Sequence, residues 1–310
     1  MSRFRHQALL YESADELAGA AASFIDEGVA AGDAVLVAVP ERNERLIRSE
    51  VGDESGVEFI DMERVGRNPA RIIPVWQEFV AESLRQGRTP RGIGEPIWAG
   101  RSGAEIDECE RHEGLLNVAF DGGPGWTLMC PYDAARLPNA VLERAARTHP
   151  HVATRGGSGP SYRYAAPTGR DVAFAGAFPN PPAGAAQVWF WPAALAAARN
   201  FVSEHALRLG LDLRRAADLV VAANELATNS IRHGGGAGTL RIWADGGAVV
   251  CEVRDAGWFS DPLTGRRFPA PDRADGRGLW IANQLCDLVQ VRSSRAGSAV
   301  RLRMDQAASE

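Results

Sequence analysis

The sequence predicts an α/β domain followed by an α+β domain. Residues 7–147 alternate short apolar runs with amphipathic segments of helix length, the signature of a mainly parallel sheet covered on both faces. From residue 185 the order changes to helices first and strands after. The chain of 310 residues is also about twice the usual domain size, so two domains are expected.

In the first half, ALLYE (8–12) precedes a helical segment over 14–31, and AVLVAV (34–39) precedes another over 41–50. VEFI (57–60) leads into a helix over 70–87, GIGEPIW (92–98) into a helix over 104–119, and WTLMCPY (126–132) into a helix over 135–147. The pattern then breaks. The Gly-, Pro- and Ser-rich run through FPNPPAG reads as a semi-extended linker, so the expected division is 1–152, a linker over 153–184, and 185–310. In the second half, QVWFW (187–191) is a strand, with helices at 192–209 and 212–233. Strands at 238–244 and 248–254 follow, then an irregular segment, a helix from 278, and paired strands at 288–293 and 298–303.

Composition limits the function. The net charge is −5, which gives no basic footprint for nucleic acid. Every one of the 34 basic residues is Arg, so a lysine-based phosphate loop is excluded. The four cysteines, Cys109, Cys130, Cys251 and Cys286, lie far apart with no C-x-x-C spacing, which disfavours a zinc knuckle or a disulfide framework and suits a reducing cytoplasm. With no apolar signal core and no long apolar segment, the expected location is cytoplasmic, away from the membrane.

The most informative stretch is NELATNSIRHGGG (224–236). On a helix, Glu225, Asn229 and His233 advance by about 40° per step and form one slowly turning polar stripe. Leu219, Val220, Ala223, Ala227 and Ile231 are expected opposite, toward a sheet. By itself such a column also describes a solvated face. Downstream, CEVRDAG (251–257) ends a strand in Asp255 and Gly257, where a carboxylate can accept from a purine amine and a glycine can admit the ring. DGRGLWIANQL (275–285) sets Gly276 and Gly278 at a helix start, where backbone N–H groups can meet a phosphate.

In that order these three elements resemble the GHKL ATPase superfamily, the Bergerat-fold domain of histidine kinases and anti-sigma-factor serine kinases. NELATNSIRHGG is similar to its N-box, DAG to its first glycine box, GRGLWIANQLCDLVQVRS to its second, and GSAVRLRM to its closing strands, with Ser298 in place of the usual Thr. The resemblance spans 185–305 and implies a site for ATP and Mg²⁺. It gives Asn229 the Mg²⁺, Glu225 the role of base and Asp255 the adenine amine with Gly257 against the ring. Gly276, Gly278 and Leu279 of the G-x-G-L motif would line the phosphates, and Ser298 the adenine side. His233, Arg232 and Arg277 would contact phosphate or lid, or remain surface residues. One departure is Phe259 where the family carries a second glycine; the lid would be 258–275, stiffened by Pro262, Pro269 and Pro271.

A histidine kinase needs a phosphoacceptor His on a helix hairpin ahead of this domain. His205 lies within its first expected helix, His149 and His151 flank Pro150, and no hairpin fits between 152 and 184. The resemblance then implies an anti-sigma serine/threonine kinase that acts on a STAS-domain anti-anti-sigma factor or holds a sigma factor. The alternatives are a non-catalytic, nucleotide-gated partner-binding module and an atypical histidine kinase.

The first half resembles the MEDS sensory domain. HQALLYES (6–13), GEPIW (94–98), ERHEGLLN (110–117), LMCPYDAARLP (128–138) and THPHV (148–152) carry the likeness. It implies a RecA-like core, here without a phosphate loop, that senses a small organic ligand. A pocket of Trp98, Cys130 and Tyr132 anchored by Glu95 and Glu113, with His6 nearby, is the expected sensory site. A metal site from His6, Glu95, Glu113 and Cys130 has no supporting ligand spacing. Homodimerisation is an open expectation, with Trp189-Phe190-Trp191 as a candidate surface or a buried first strand.

Overall fold

The structure, a computed structural model, describes residues 4–52, 56–155, 157–166, 169–269 and 276–306. The chain divides into two compact units, Met1–Thr168 and Gly169–Glu310.

The first unit runs β1 (Arg5–Tyr11), α1 (Ala14–Ala31), β2 (Ala34–Val39), α2 (Glu41–Glu50), β3 (Val57–Asp61), α3 (Met62–Val65), α4 (Ile72–Arg85), β4 (Pro90–Gly94), α5 (Gly103–Phe120), β5 (Thr127–Asp133), α6 (Asn139–Thr148), β6 (His151–Thr154) and β7 (Gly157–Pro160). Its sheet has the order β3-β2-β4-β5-β1-β6-β7, parallel throughout except for β7, which pairs antiparallel with β6. The expected α/β class holds. On one face Leu9 and Tyr11 of β1, Val35, Val37 and Val39 of β2 and Met129 of β5 pack against Leu17, Ala21 and Ile25 of α1 and Ile47 of α2. Strand side chains alternate between faces. His6 and Ala8 of β1, level with Leu128 and Cys130 of β5, therefore face the other side, where α5 lies.

Local chemistry sets the helix boundaries. Ser13 caps α1 by accepting from the Glu16 N–H, and Gly32, at φ 77°, ends it. Ser102 and Glu105 form a reciprocal capping box at the start of α5. The strand expected over 92–98 stops at Gly94, because Pro96 has no N–H for a ladder. The helix expected from 135 starts at Asn139, since Asp133 Oδ1 accepts from the N–H groups of Ala135 and Arg136 and holds them in a turn.

The second unit runs α7 (Gly169–Phe174), β8 (Ala186–Phe190), α8 (Leu195–Arg208), α9 (Leu213–His233), β9 (Gly238–Asp245), β10 (Ala248–Asp255), α10 (Arg277–Leu285), β11 (Leu288–Ser294) and β12 (Gly297–Asp305). Its five strands form an antiparallel sheet, β11-β12-β10-β9-β8, with helices on it, the α+β layer expected of a GHKL ATPase. The segment read as a linker is more structured than expected, for β7 and α7 lie in it. Gly156, Pro167 and Thr168 of that segment lie outside the described residues.

Helix α9 carries the candidate stripe. Asp212 caps it by accepting from the Arg215 N–H at 2.8 Å, and the chain leaves the helix at Gly234. Gly235 and Gly236 then take φ of 91° and 86°, a backbone that favours glycine. The helix contacts α8, α10 and the sheet, so its buried face is broader than expected and rotated: Ala222, Leu226 and Ser230 are buried, whereas Val220 and Ile231 are only half-buried. On edge strand β8, Phe190 is buried while Trp189, like Trp191 just after it, is exposed.

Candidate functional site

In the second unit, α9, the end of β10, the start of α10 and the first part of the irregular segment surround a cavity of about 750 Å³, within the size range of small-molecule sites. Asn229, His233, Asp255, Gly257, Gly276, Leu279 and Ser298 all line it, as do Trp258 and Phe259. Glu225 lies one helical turn below Asn229, half-buried.

Asp255 is the most constrained group. Its Oδ2 accepts from the Ser230 hydroxyl at 2.5 Å, and its Oδ1 accepts from the Gly257 N–H at 2.7 Å and the Ser298 hydroxyl at 2.9 Å. A carboxylate offers about four lone-pair positions, so one remains for a further donor in the cavity. Ser298 thus orients Asp255 directly. Ser230 was missed by the sequence reading because it follows Asn229 by one position and points inward. Its signal was a polar residue at a position of the helix that faces the sheet.

Two glycines are needed for close approach. A Cβ at Gly257 would lie 2.8 Å from both Gly234 Cα and the His233 carbonyl oxygen. At Gly278 it would lie 2.5 Å from Asn229 Nδ2 and 3.3 Å from Glu225 Oε2. The start of α10 therefore rests on Asn229 and Glu225. Gly276, at φ 86°, caps α10 without a side-chain acceptor, so the first N–H groups of this nine-residue helix stand at the cavity wall. An acceptor-only carboxylate, a carboxamide, a glycine cradle and a helix N-terminus fit a nucleotide with its divalent cation. Arg232 and Arg277 are exposed and are not among the lining residues.

The departure at Phe259 has a structural counterpart. Its N–H donates to Ser293 Oγ at 2.9 Å, and its ring lies 5.6 Å from that of Phe174 on α7. The segment stays anchored further on, where Leu263 is buried and Asn283 Nδ2 donates to the Gly265 carbonyl at 3.0 Å. Pro271, one of the expected stiffening residues, and the stretch 270–275 lie outside the described residues.

In the first unit the expected pocket separates into two clusters on opposite faces of the sheet. His6, Glu113, Cys130 and Tyr132 come together on the α5 face, joined by His149, and all five are buried. His6 Nε2 lies 3.0 Å and His149 Nε2 3.2 Å from Glu113 Oε2, and Cys130 Sγ lies 3.4 Å from His6 Nε2. Burial, with the neighbouring His149, pulls His6 down to about 4. Burial alone would raise Glu113, yet His149 and His6 hold it below the usual carboxylate range. Cys130 and Tyr132 are pushed well up, first by burial and then by Glu113.

Glu95 does not join them, contrary to the expected pocket. It leaves β4 beside β2, with its N–H on the Ala38 carbonyl, and turns to the α1–α2 face. There Oε1 accepts from the Tyr11 hydroxyl at 3.3 Å and Oε2 from Asn43 Nδ2 at 2.6 Å. Burial raises Glu95 to about 7. Trp98 is also separate, its ring covered by the Arg101 guanidinium at 3.7 Å.

The sheet, the helices over it and the cavity define the second unit as a histidine kinase-like ATPase domain. Residues 188–304 match the family of that description, and residues 5–150 match the MEDS family, described as MEthanogen/methylotroph, DcmR Sensory domain. The chain is therefore a fusion of a MEDS domain with a histidine kinase-like ATPase domain. No curated protein is matched by the chain. Among solved structures it is similar to the RsbU and RsbW domains of Rv1364c from Mycobacterium tuberculosis, at 19% identity over 39% of this chain and 32% of that one, with a TM-score of 0.29. It is also similar to the Acinetobacter baumannii histidine kinase AdeS, at 13% identity over 39% of this chain and 68% of that one, with a TM-score of 0.23. The chain thus spans about a third of the length of the first. No helix among the described residues is long and apolar enough to cross a membrane.

Proposed function

We propose that this chain is a cytoplasmic signalling regulator whose second unit binds Mg²⁺-ATP and phosphorylates serine or threonine on a STAS-domain anti-anti-sigma factor, or holds a sigma factor. Its first unit would bind a small organic ligand and govern that activity. The observation that carries the reading is the shared cavity: Asp255, fixed by three donors, lines it together with Asn229 and the start of α10. Bound Mg²⁺-ATP would supply the transferable phosphoryl group. Asn229 offers an oxygen to the cation, the remaining Asp255 lone pair accepts from the purine amine, and the first N–H groups of α10 hold phosphate. Glu225 would take the proton of the attacking hydroxyl, since such transfer relies on positioning, charge neutralisation and a base. Among the described residues the helix between β7 and β8 is the six-residue α7, which does not favour a histidine-kinase hairpin in that stretch.

A second reading, a nucleotide-gated binding module without transfer, is favoured by Phe259, which lines the cavity in place of the family's glycine. Exposed Trp189 on edge strand β8 and Trp191 just after it suit a docking surface for a partner protein or a second copy.

Calorimetry with Mg²⁺-ATP, followed by phosphotransfer to STAS proteins, tests these readings. The expected pattern is binding by the wild type, no binding by Asn229→Ala, and binding by Glu225→Ala with transfer reduced by about 10²–10⁴. Binding without acid-stable phosphate on any STAS protein selects the second reading. No binding at millimolar ATP overturns both.

A further inference from the structure

We propose that His6, Glu113, Cys130 and His149 form a buried site for one divalent transition-metal ion, zinc in the first instance. Their ligand atoms, one from each side chain, all lie within 4.8 Å of one another. Three of the six edges between these atoms are 3.0, 3.2 and 3.4 Å. A tetrahedron around zinc, with bonds of about 2.0–2.3 Å, has edges of roughly 3.3–3.8 Å. Those three edges are within a few tenths of an ångström of a coordination shell, and the remaining three are no longer than 4.8 Å.

The hydrogen bonds behind the cluster fix which atoms face inward. His149 Nδ1 lies 2.8 Å from the Ala145 carbonyl oxygen, which can only accept, so Nδ1 carries the proton. Asn117 Nδ2 donates to the carbonyls of Thr148 at 2.7 Å and Glu113 at 3.3 Å, which leaves Asn117 Oδ1 as the acceptor for His6 Nδ1 at 3.2 Å. Both imidazoles, with Nδ1 engaged, therefore turn Nε2 toward the same carboxylate oxygen, Glu113 Oε2, with a thiol beside them. Among the described residues no hydrogen bond of good geometry reaches either Glu113 oxygen or His149 Nε2. Acceptors that converge this closely need positive charge between them. The two imidazole rings lie with centroids 3.9 Å apart in a fully buried site.

A divalent ion resolves this in one step. A thiolate and a carboxylate carry two negative charges, so the loaded site is neutral and compatible with burial. Two imidazoles, a thiolate and a carboxylate suit a borderline-soft ion, and Asn117 and the Ala145 carbonyl supply the outer contacts that orient ligating histidines. The four residues come from β1, α5, β5 and the end of α6, so the ion would tie four elements together. This inference concerns the first unit alone and does not depend on nucleotide binding.

The test uses the full chain, purified without chelator. Elemental analysis is expected to find about one zinc per chain, lost in Cys130→Ser and His149→Gln but kept in Cys109→Ser, whose thiol is bonded to the Pro96 carbonyl instead. After chelation and dialysis, Co²⁺ should restore a tetrahedral spectrum with a thiolate-to-cobalt charge-transfer band that saturates at one ion per chain. Cys130→Ser should lose that band, and Asn117→Ala should weaken affinity by about 10–100-fold. A wild type that retains no zinc and gives no thiolate-to-cobalt band overturns the proposal. Because that spectrum is read on unaltered protein, misfolding of a variant cannot mask the result.

Discussion

Glu95 shows how one side chain can set the pH response of a domain. It is fully buried, and burial raises it to about 7 despite donors from Tyr11 on β1 and Asn43 on α2. Arg42 on α2 pulls it down, and Asp133 at the end of β5 pushes it up. A carboxyl raised in the folded state binds a proton that the unfolded chain releases, so its contribution is full below about pH 4.5 and is lost as pH rises through about 7. The penalty at pH 8 is on the order of 3 kcal/mol. Glu95→Gln is therefore expected to melt higher than wild type at pH 8, with the gap closing toward pH 5; thermal melts across that range check it. A gap independent of pH would mean that Glu95 is not the group responsible. The separation of Glu95 from Glu113 was illegible in the sequence, since Glu95 directly follows β4 while Glu113 lies on α5, and only the fold shows which face of the sheet each reaches. Strand alternation and the β2–β4 pairing send them to opposite faces. That His149, weighed only as a phosphoacceptor, belongs to the cluster was hidden for a related reason: it joins His6 only because β1 lies between β5 and β6 in the sheet.

At the scale of elements, periodicity and capping made most of the molecule readable. The apolar spacing of α1 and α9 and the alternation in β12 are dictated by burial of one face, which leaves a mark in sequence. Strand β7 leaves none, because its GSGP has no side-chain pattern and is held as an edge by β6. Helix α7 is too short to show a period. The motif residues of the second unit were legible as a set, since local turns carry them, but Ser230 was not. Helix α9 supplies Glu225, Asn229 and Ser230, and its position depends on its first turn. Asp212→Ala removes the acceptor for the Arg215 N–H and is expected to cost about 0.5–2 kcal/mol. Chemical denaturation of the second unit, followed by far-UV circular dichroism, measures this. Unchanged stability would show that tertiary packing alone holds the start of α9.

At the scale of the whole molecule, each unit has its own core, so unfolding need not be a single transition. A ligand stabilises only the state that binds it. Mg²⁺-ATP at about a hundred times its dissociation constant should stabilise the second unit by about 2.7 kcal/mol. Scanning calorimetry is expected to show that unit's transition moving upward with nucleotide and staying in place for Asn229→Ala. Movement in both proteins would locate nucleotide binding elsewhere.

Trp258 lines the cavity beside Gly257, and about half of its surface, 52%, meets solvent. An indole in that position changes its emission when a purine replaces water against it, so the protein carries a built-in optical gauge of occupancy. Stopped-flow fluorescence could then time the arrival of nucleotide without any attached dye. Trp258→Phe is expected to silence the signal while calorimetric binding persists.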